Sequence, residues 1–173
     1  MFDPDGLPLE LTEDGSPLDE ITICEAEAGS TGDLLTRHLG FERHAENLYQ
    51  LAGARVKVVQ DAVAERGLVA PGGVHHVALG VSSVEELADW RVRLTAAGFK
   101  VTLPQNRVYF QSIYFRQQRG VLFEIATISP GFHADEVVLG QRLCLPPWLE
   151  SSRVSIEERL VPIKAKHVKA KHG

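Results

Sequence analysis

Cysteine is scarce. Cys24 and Cys144 are the only two in 173 residues, and their wide separation fits no metal-binding or redox spacing and identifies no disulfide. Reduced thiols in the cytoplasm are the matching expectation. Long apolar runs are also missing, so no window reaches membrane-spanning length. Residues 1–11 are acidic and broken by Pro and Gly, without the basic and apolar regions of a secretory leader. Positive charge is in short supply: 18 Lys and Arg stand against 23 Asp and Glu, a formal charge of -5. Such a surface offers no general attraction to phosphate backbones, which disfavours a nucleic-acid role. What the chain does have is a 44% apolar composition, enough for one compact domain or two tightly packed halves.

The start reads as a tight Asp3-Pro4-Asp5-Gly6 turn running into an alternating strand, with Leu7, Leu9 and Leu11 on one face. A polar turn then leads to a short strand at 21–24. A helix follows at 32–38, carrying Leu34 and Leu35 and stopped at Leu39-Gly40. Residues 48–51 and 54–59 read as a hairpin turned by Ala52-Gly53. Residues 61–73 end in Pro71-Gly72-Gly73, the composition of a linker.

The pattern then repeats. Residues 74–81 alternate as a strand, and Ser83-Val84-Glu85-Glu86 is a capping box opening a helix with Leu87, Trp90, Leu94 and Ala97 at helical spacing. Gly98 closes it. Strands are expected at 99–103, 108–116 and 121–127, the last two joined by Gln117-Gln118-Arg119-Gly120. Phe41 follows Gly40 as Phe99 follows Gly98, so residues 18–60 and 74–128 look like diverged copies of one βαβββ unit. The expected fold class is α+β, with paired units, mixed curved sheets and flanking helices. A C-terminal extension over 129–162 should carry an amphipathic helix at 152–160, with Val154, Ile156 and Leu160 packed across the sheets. Residues 163–173 read as a basic, solvated tail.

Two strands carry the chemistry. In residues 74–81, alternation puts Val77, Leu79 and Val81 on one face and His76, Ala78 and Gly80 on the other, so a histidine stands among small residues. A strand lining a cavity has that arrangement, although a lone strand histidine is also a common structural residue. His75 should point to the opposite face. In residues 120–127, Glu124 interrupts an apolar strand. A carboxylate there needs a hydrogen-bonding, cationic or metal partner, unless it lies at an edge and points into water.

Several stretches together resemble a known family. Val74-His75-His76-Val77-Ala78, Asn106-Arg107-Val108-Tyr109-Phe110, Gly120-Val121-Leu122-Phe123-Glu124 and Leu145-Pro146-Pro147-Trp148 resemble the last module of bacterial two-domain ring-cleaving dioxygenases. These form the hydroquinone branch of the vicinal-oxygen-chelate, or glyoxalase/bleomycin-resistance, superfamily. The resemblance implies a non-haem Fe(II) site, with Mn or Zn as other candidate metals, in which His76 and Glu124 are ligands. It implies that Arg107 and Tyr114 orient a hydroquinone- or catechol-like substrate for attack by O2, and that His75 supports the metal histidine or handles protons. Each of these three has a plainer reading as a turn cap, a strand aromatic and a buried structural histidine.

The same resemblance leaves the set of ligands one histidine short. Residues 1–7 resemble the last hairpin of a preceding module, so residues 1–13 are expected to be a remnant strand and the chain to correspond to the third and fourth modules of a longer, truncated relative. Counting back from Gly40 places Glu20 where a histidine would stand, and His38 and His44 read as surface residues. Completion by a separate N-terminal-half partner or a swapped homodimer is the other expectation. Two rival readings remain: a small enzyme of glyoxalase or thiol-transferase type, and a non-catalytic protein that holds an aromatic compound or drug.

Overall fold

The computed structural model describes residues 1–10, 20–26, 29–61, 73–135, 140 and 142–160. Its first unit runs β1 (Glu20–Glu25), α1 (Ser30–Asp33) continuing as a π-helix over Leu34–His38, β2 (Glu42–Ala45), β3 (Leu48–Leu51) and β4 (Ala54–Gln60). The second runs β5 (Val77–Val81), α2 (Val84–Ala96), β6 (Gln105–Asn106), β7 (Gln111–Arg116) and β8 (Leu122–Thr127). Each unit makes one four-stranded sheet, in the orders β1-β4-β3-β2 and β5-β8-β7-β6. In both, the first and last strands are parallel and the other pairings antiparallel. The paired, mixed-sheet α+β fold expected from the repeat is therefore present.

Alternation decides which face of the second sheet is covered. Val77, Val81, Ile113, Phe115, Phe123 and Ile125 are all buried beneath α2, whose Leu87 and Leu94 are buried against them. Each such side chain contributes about 1.5–3 kcal/mol on leaving water. The first unit adds Leu34, Leu35, Phe41, Val56 and Val58 to the same cluster. One core thus joins both units. α2 is capped by Ser83, whose Oγ accepts from the Glu86 amide at 3.2 Å. The return arm of the box falls one residue early: Glu86 Oε2 accepts from the Ser82 amide at 2.9 Å.

Several element boundaries differ from the sequence reading. The 32–38 helix is largely π-helical, with Leu39 N–H bonded to the Leu34 carbonyl and Phe41 N–H to that of Leu35. That wider turn lets Leu34 and Leu39, five positions apart, share the buried face. The strand expected at 99–103 is reduced to a single bridge between Val101 and Phe115. β7 starts late because Asn106 Oδ1 accepts from the Val108 amide at 2.8 Å and Val108 takes a positive φ of 73°, which makes a tight turn of residues 106–109. β5 begins at Val77, leaving Val74, His75 and His76 just ahead of it. β2 was absent from the sequence reading because all four of its residues are exposed and show no apolar alternation.

Both ends of the described chain depart further. Residues 1–10 make a tight loop bridged between Phe2 and Pro8, not a strand with a buried leucine face, and Leu9 is exposed. The C-terminal extension holds a 3-10 turn, Pro147–Ser152, and a short α3, Arg153–Glu157. It does not pack across the sheets, since Val154 and Leu160 are exposed. Arg153, bonded to Glu150, Glu157 and the Leu143 carbonyl, organises it instead. Leu11, the rest of the expected N-terminal strand, most of the linker and the basic tail lie outside the described residues. Among the described residues no helix is long and apolar enough to cross a membrane.

A buried polar cluster crosses between the units. Gln117, in the β7–β8 hairpin, places Nε2 2.9 Å from Glu25 Oε2 at the end of β1 and 2.9 Å from Thr31 Oγ1 in α1. Thr31 Oγ1 in turn donates to Glu25 Oε2 at 2.7 Å. All three residues are buried.

Candidate metal centre

The register of the second sheet builds the site. Glu124 on β8 is paired with Ala78 of β5 on one side and Tyr114 of β7 on the other. Its neighbours Phe123 and Ile125 point into the core, so Glu124 projects from the opposite face with Leu122 and Ala126. That face was expected to be lined with small residues, and Ala78, Gly80 and Ala126 do lie along it. The Glu124 side chain is nevertheless only 4% exposed. A carboxylate this buried costs several kcal/mol unless it is paired, by roughly the scale of ion desolvation, and both of its oxygens are engaged. Oε2 lies 2.7 Å from His76 Nε2, and Oε1 accepts from the Tyr114 hydroxyl at 2.5 Å.

His76 is held from its other side. Its Nδ1 stands 2.8 Å from His75 Nδ1, so one of the two nitrogens carries the shared hydrogen. Because His76 lies just ahead of β5, strict alternation does not apply, and the two imidazoles touch where the sequence reading had them on opposite faces. This contact leaves His76 Nε2 directed at Glu124. The Tyr114 ring packs edge-on to His76 at 5.9 Å between centroids. The Arg107 guanidinium, from the turn after β6, lies 5.7 Å from the centre of the Tyr114 ring. All five residues singled out in the sequence therefore come together as one chain of contacts: His75, His76, Glu124, Tyr114, Arg107.

These residues fit a divalent metal. A buried carboxylate oxygen on β8 and an imidazole nitrogen from the residue just ahead of the adjacent parallel strand β5 converge, each oriented by a second partner, as is usual for metal ligands. The third ligand is not apparent. Among the described residues, no group of three or more His, Cys, Asp or Glu side chains could hold a metal ion. Glu20 stands two residues ahead of Thr22, the β1 residue that matches Ala78, as His76 stands two residues ahead of Ala78. Its Oε2 instead lies 3.6 Å from Arg55. His38 packs against Phe99, with ring centroids 5.4 Å apart, on the opposite side of the core.

The sequence reading missed two features on the site face. Ser112, paired with Ala126, is fully buried and its hydroxyl has no partner. Lys57, paired with Thr22 and Leu48, stands on the first-unit rung that corresponds to Glu124. Aligning the two units strand by strand would have found Lys57. Nothing in the local sequence marks Ser112.

Comparisons with known proteins bear on the family and the fold. The family model described as the Glyoxalase/Bleomycin resistance protein/Dioxygenase superfamily matches residues 18–125. The chain is 36% identical to the "Putative ring-cleaving dioxygenase MhqA" of Bacillus subtilis (strain 168), over 92% of this chain and 54% of that protein. A shorter match, 37% identical over 46% of this chain and 25% of the relative, is to the "Chlorohydroquinone/hydroquinone 1,2-dioxygenase" of Sphingobium indicum. Among solved structures, a "putative dioxygenase" from Bacillus subtilis superposes with a TM-score of 0.75 at 33% identity, covering 86% of this chain and 50% of that one. A Listeria monocytogenes fosfomycin resistance protein, FosX, solved with Mn(II), shares the fold alone, with a TM-score of 0.51 and 24% identity. The chain spans between half and 60% of the length of the three Bacillus relatives it matches.

Proposed function

Because the chain belongs to the glyoxalase/bleomycin resistance protein/dioxygenase superfamily, we propose that His76 and Glu124 are two ligands of a non-haem Fe(II) centre for cleaving a hydroquinone- or catechol-like ring, with the third ligand supplied from outside the described residues. The observation that carries this reading is the buried Glu124 carboxylate, aimed at His76 Nε2 across 2.7 Å. Its relatives' printed activities supply the substrate class. Fe(II) held by His76 and Glu124 would supply the one-electron chemistry that couples a phenolic substrate to O2, and because both oxygen atoms enter the product no external reductant is needed.

The chain's own residues then have distinct tasks. His75, through His76 Nδ1, fixes the ring so that Nε2 is presented. Tyr114 donates to Glu124 Oε1 and so turns Oε2 toward His76. Arg107 is exposed and lies over the Tyr114 ring, where its N–H groups can receive a phenolate oxygen and stabilise the negative charge it gains. Ala78 and Ala126 put little side-chain bulk beside Glu124, while the Ile128 side chain lies over Gly80. The glyoxalase-type rival, which recruits Glu20, is weakened by the Arg55 contact that already engages Glu20.

Metal content tests the ligands first. Protein loaded anaerobically with Fe(II) should retain it in the wild type and lose it in His76→Ala and Glu124→Ala; equal retention by all three sinks the assignment. Oxygen uptake tests the reaction. With hydroquinone or catechol, the Fe(II)-loaded protein should consume O2, alone or with a polypeptide resembling the relatives' other half; no uptake in either setting refutes the dioxygenase reading.

A further inference from the structure

The Arg107 side chain does little to fix its own position. It is exposed, and its guanidinium makes no hydrogen bond or ion pair among the described residues; it lies 5.7 Å from the centre of the Tyr114 ring. An arginine without such a partner keeps its rotamer freedom, so where its charge stands depends on the backbone that carries it. That backbone is the turn between β6 and β7, and it is strained. Val108, a β-branched residue, takes a positive φ of 73°, which L side chains resist. A conformation of this kind persists only where its surroundings impose it.

Within the turn, Arg107 N–H donates to the Phe110 carbonyl and Val108 N–H to Asn106 Oδ1, both at 2.8 Å. The constraint from outside comes through Tyr109. Its carbonyl accepts from Gly131 N–H at 2.8 Å, and its hydroxyl donates to Asp135 Oδ2 at 2.8 Å. Its ring packs on Phe132 with centroids 4.8 Å apart. Gly131 and Asp135 flank the 3-10 turn Phe132–Ala134, which follows β8. With three residues per turn, positions 132 and 135 lie on the same side of it, so a ring and a carboxylate reach Tyr109 together. β8 is the strand that carries Glu124. The contacts of Tyr109 therefore tie the Arg107 turn to the segment leaving the strand that bears the candidate metal carboxylate.

We propose that Tyr109 is a positioning residue: through Asp135 and Phe132 it clamps the strained 106–109 turn and so sets where the Arg107 guanidinium stands over Tyr114. The consequence for ring cleavage rests on the dioxygenase reading. The consequence for Arg107 does not.

The Arg107 Nε–H resonance of the full chain reports that position, because the Tyr114 ring current displaces it. Arg107→Lys assigns the signal, and Tyr114→Leu gives its undisplaced value. Tyr109→Phe keeps the ring on Phe132 and removes the hydroxyl alone. Asp135→Ala removes the acceptor and keeps the carbonyl that receives Arg142. Each should move the Arg107 signal most of the way to its place in Tyr114→Leu, and the double variant should move it no further, since both remove one bond. Tm and Fe(II) content should stay as in the wild type, because that bond lies at the surface. In Fe(II)-loaded protein, Tyr109→Phe should raise the KM for hydroquinone about tenfold, the scale of one hydrogen bond to a charged group, and leave the KM for O2 unchanged. On an Arg107→Lys background it should alter neither. The proposal is overturned by an unmoved Arg107 signal in both single variants, or by an equal KM effect on the Arg107→Lys background. A wild type that consumes no O2 sinks the dioxygenase reading instead, and the Arg107 resonance still decides this one.

Discussion

Replacing Gln117 with alanine removes the side chain that ties the second unit's hairpin to β1 and α1. Gln117 is 3% exposed, and its Nε2 lies within hydrogen-bonding distance of Glu25 Oε2, Ser30 Oγ and Thr31 Oγ1. Its two amide hydrogens can serve two of those acceptors at once. A bond to a carboxylate contributes about 1.5–3 kcal/mol and one to a hydroxyl about 0.5–1.5 kcal/mol. Gln117 Oε1 also accepts from the Arg119 amide within the turn. The variant further leaves Glu25, whose Oε1 already has no partner, dependent on hydroxyls alone. The expected destabilisation is about 3 kcal/mol, which for a chain of this size lowers Tm by about 6–12 °C. Urea unfolding followed by circular dichroism measures it. The same substitution made on a Glu25→Ala background should cost about 1–2 kcal/mol less, because the shared bond is already gone. A cost below about 1 kcal/mol, or additivity of the two substitutions within about 0.5 kcal/mol, would refute the reading of this cluster as a tie between the units.

Three further expectations follow from other contacts. Ser112→Ala removes a buried hydroxyl with no partner and should be neutral or stabilising by up to about 1 kcal/mol, measured by urea midpoint; a loss of stability would mean the hydroxyl is bonded in solution. Gly32 lies under Tyr49, and a Cβ there would run into the tyrosine hydroxyl, so Gly32→Ala should cost about 1–3 kcal/mol and be partly rescued by Tyr49→Phe. The Glu86 carboxyl is held below its ordinary pKa by hydrogen bonds from Ser82. A group whose pKa falls on folding stabilises the fold above its unfolded pKa, and that stability is lost as pH falls through the lowered folded value. Glu86→Gln should therefore flatten the acid side of a stability–pH profile measured by denaturation, and an unchanged profile would exclude the Ser82 contact.

Much of this fold could be read from local signals. The capping box at Ser83 and the alternation in β5 and β8 state both element type and facing, and the repeated Gly-Phe after each helix exposes the duplication. What the sequence concealed depends on longer-range geometry. β2 carries Glu42, Arg43 and His44 at an exposed edge, where no apolar period is required. The π-helix at Leu34–His38 rests on an i→i+5 backbone bond from Leu39 to Leu34, which no local residue pattern announces. The late start of β7 turns on a single positive φ at Val108. At the candidate site, Glu124 was legible because a charge interrupts an apolar strand, and His76 because it stands among small residues. The contact between His75 and His76 was not, because it depends on β5 starting at Val77 and so releasing both histidines from strand alternation.

The two units also differ in a way that locates the chemistry in one of them. Thr22 and Ala78 each stand three residues before the end of their parallel strand, so the rung Thr22–Lys57–Leu48 in the first sheet corresponds to Ala78–Glu124–Tyr114 in the second. At that rung a lysine stands for the glutamate and a leucine for the tyrosine that orients it. Two residues earlier, Glu20 stands for His76 and is engaged by Arg55. An ammonium in place of the carboxylate would repel a divalent cation, and the acid that remains is already beside a guanidinium. The duplicated scaffold is thus present in both units while the His–Glu pair proposed as ligands is present in the second alone, so among the described residues the matching rung of the first unit is a poor source for a third ligand.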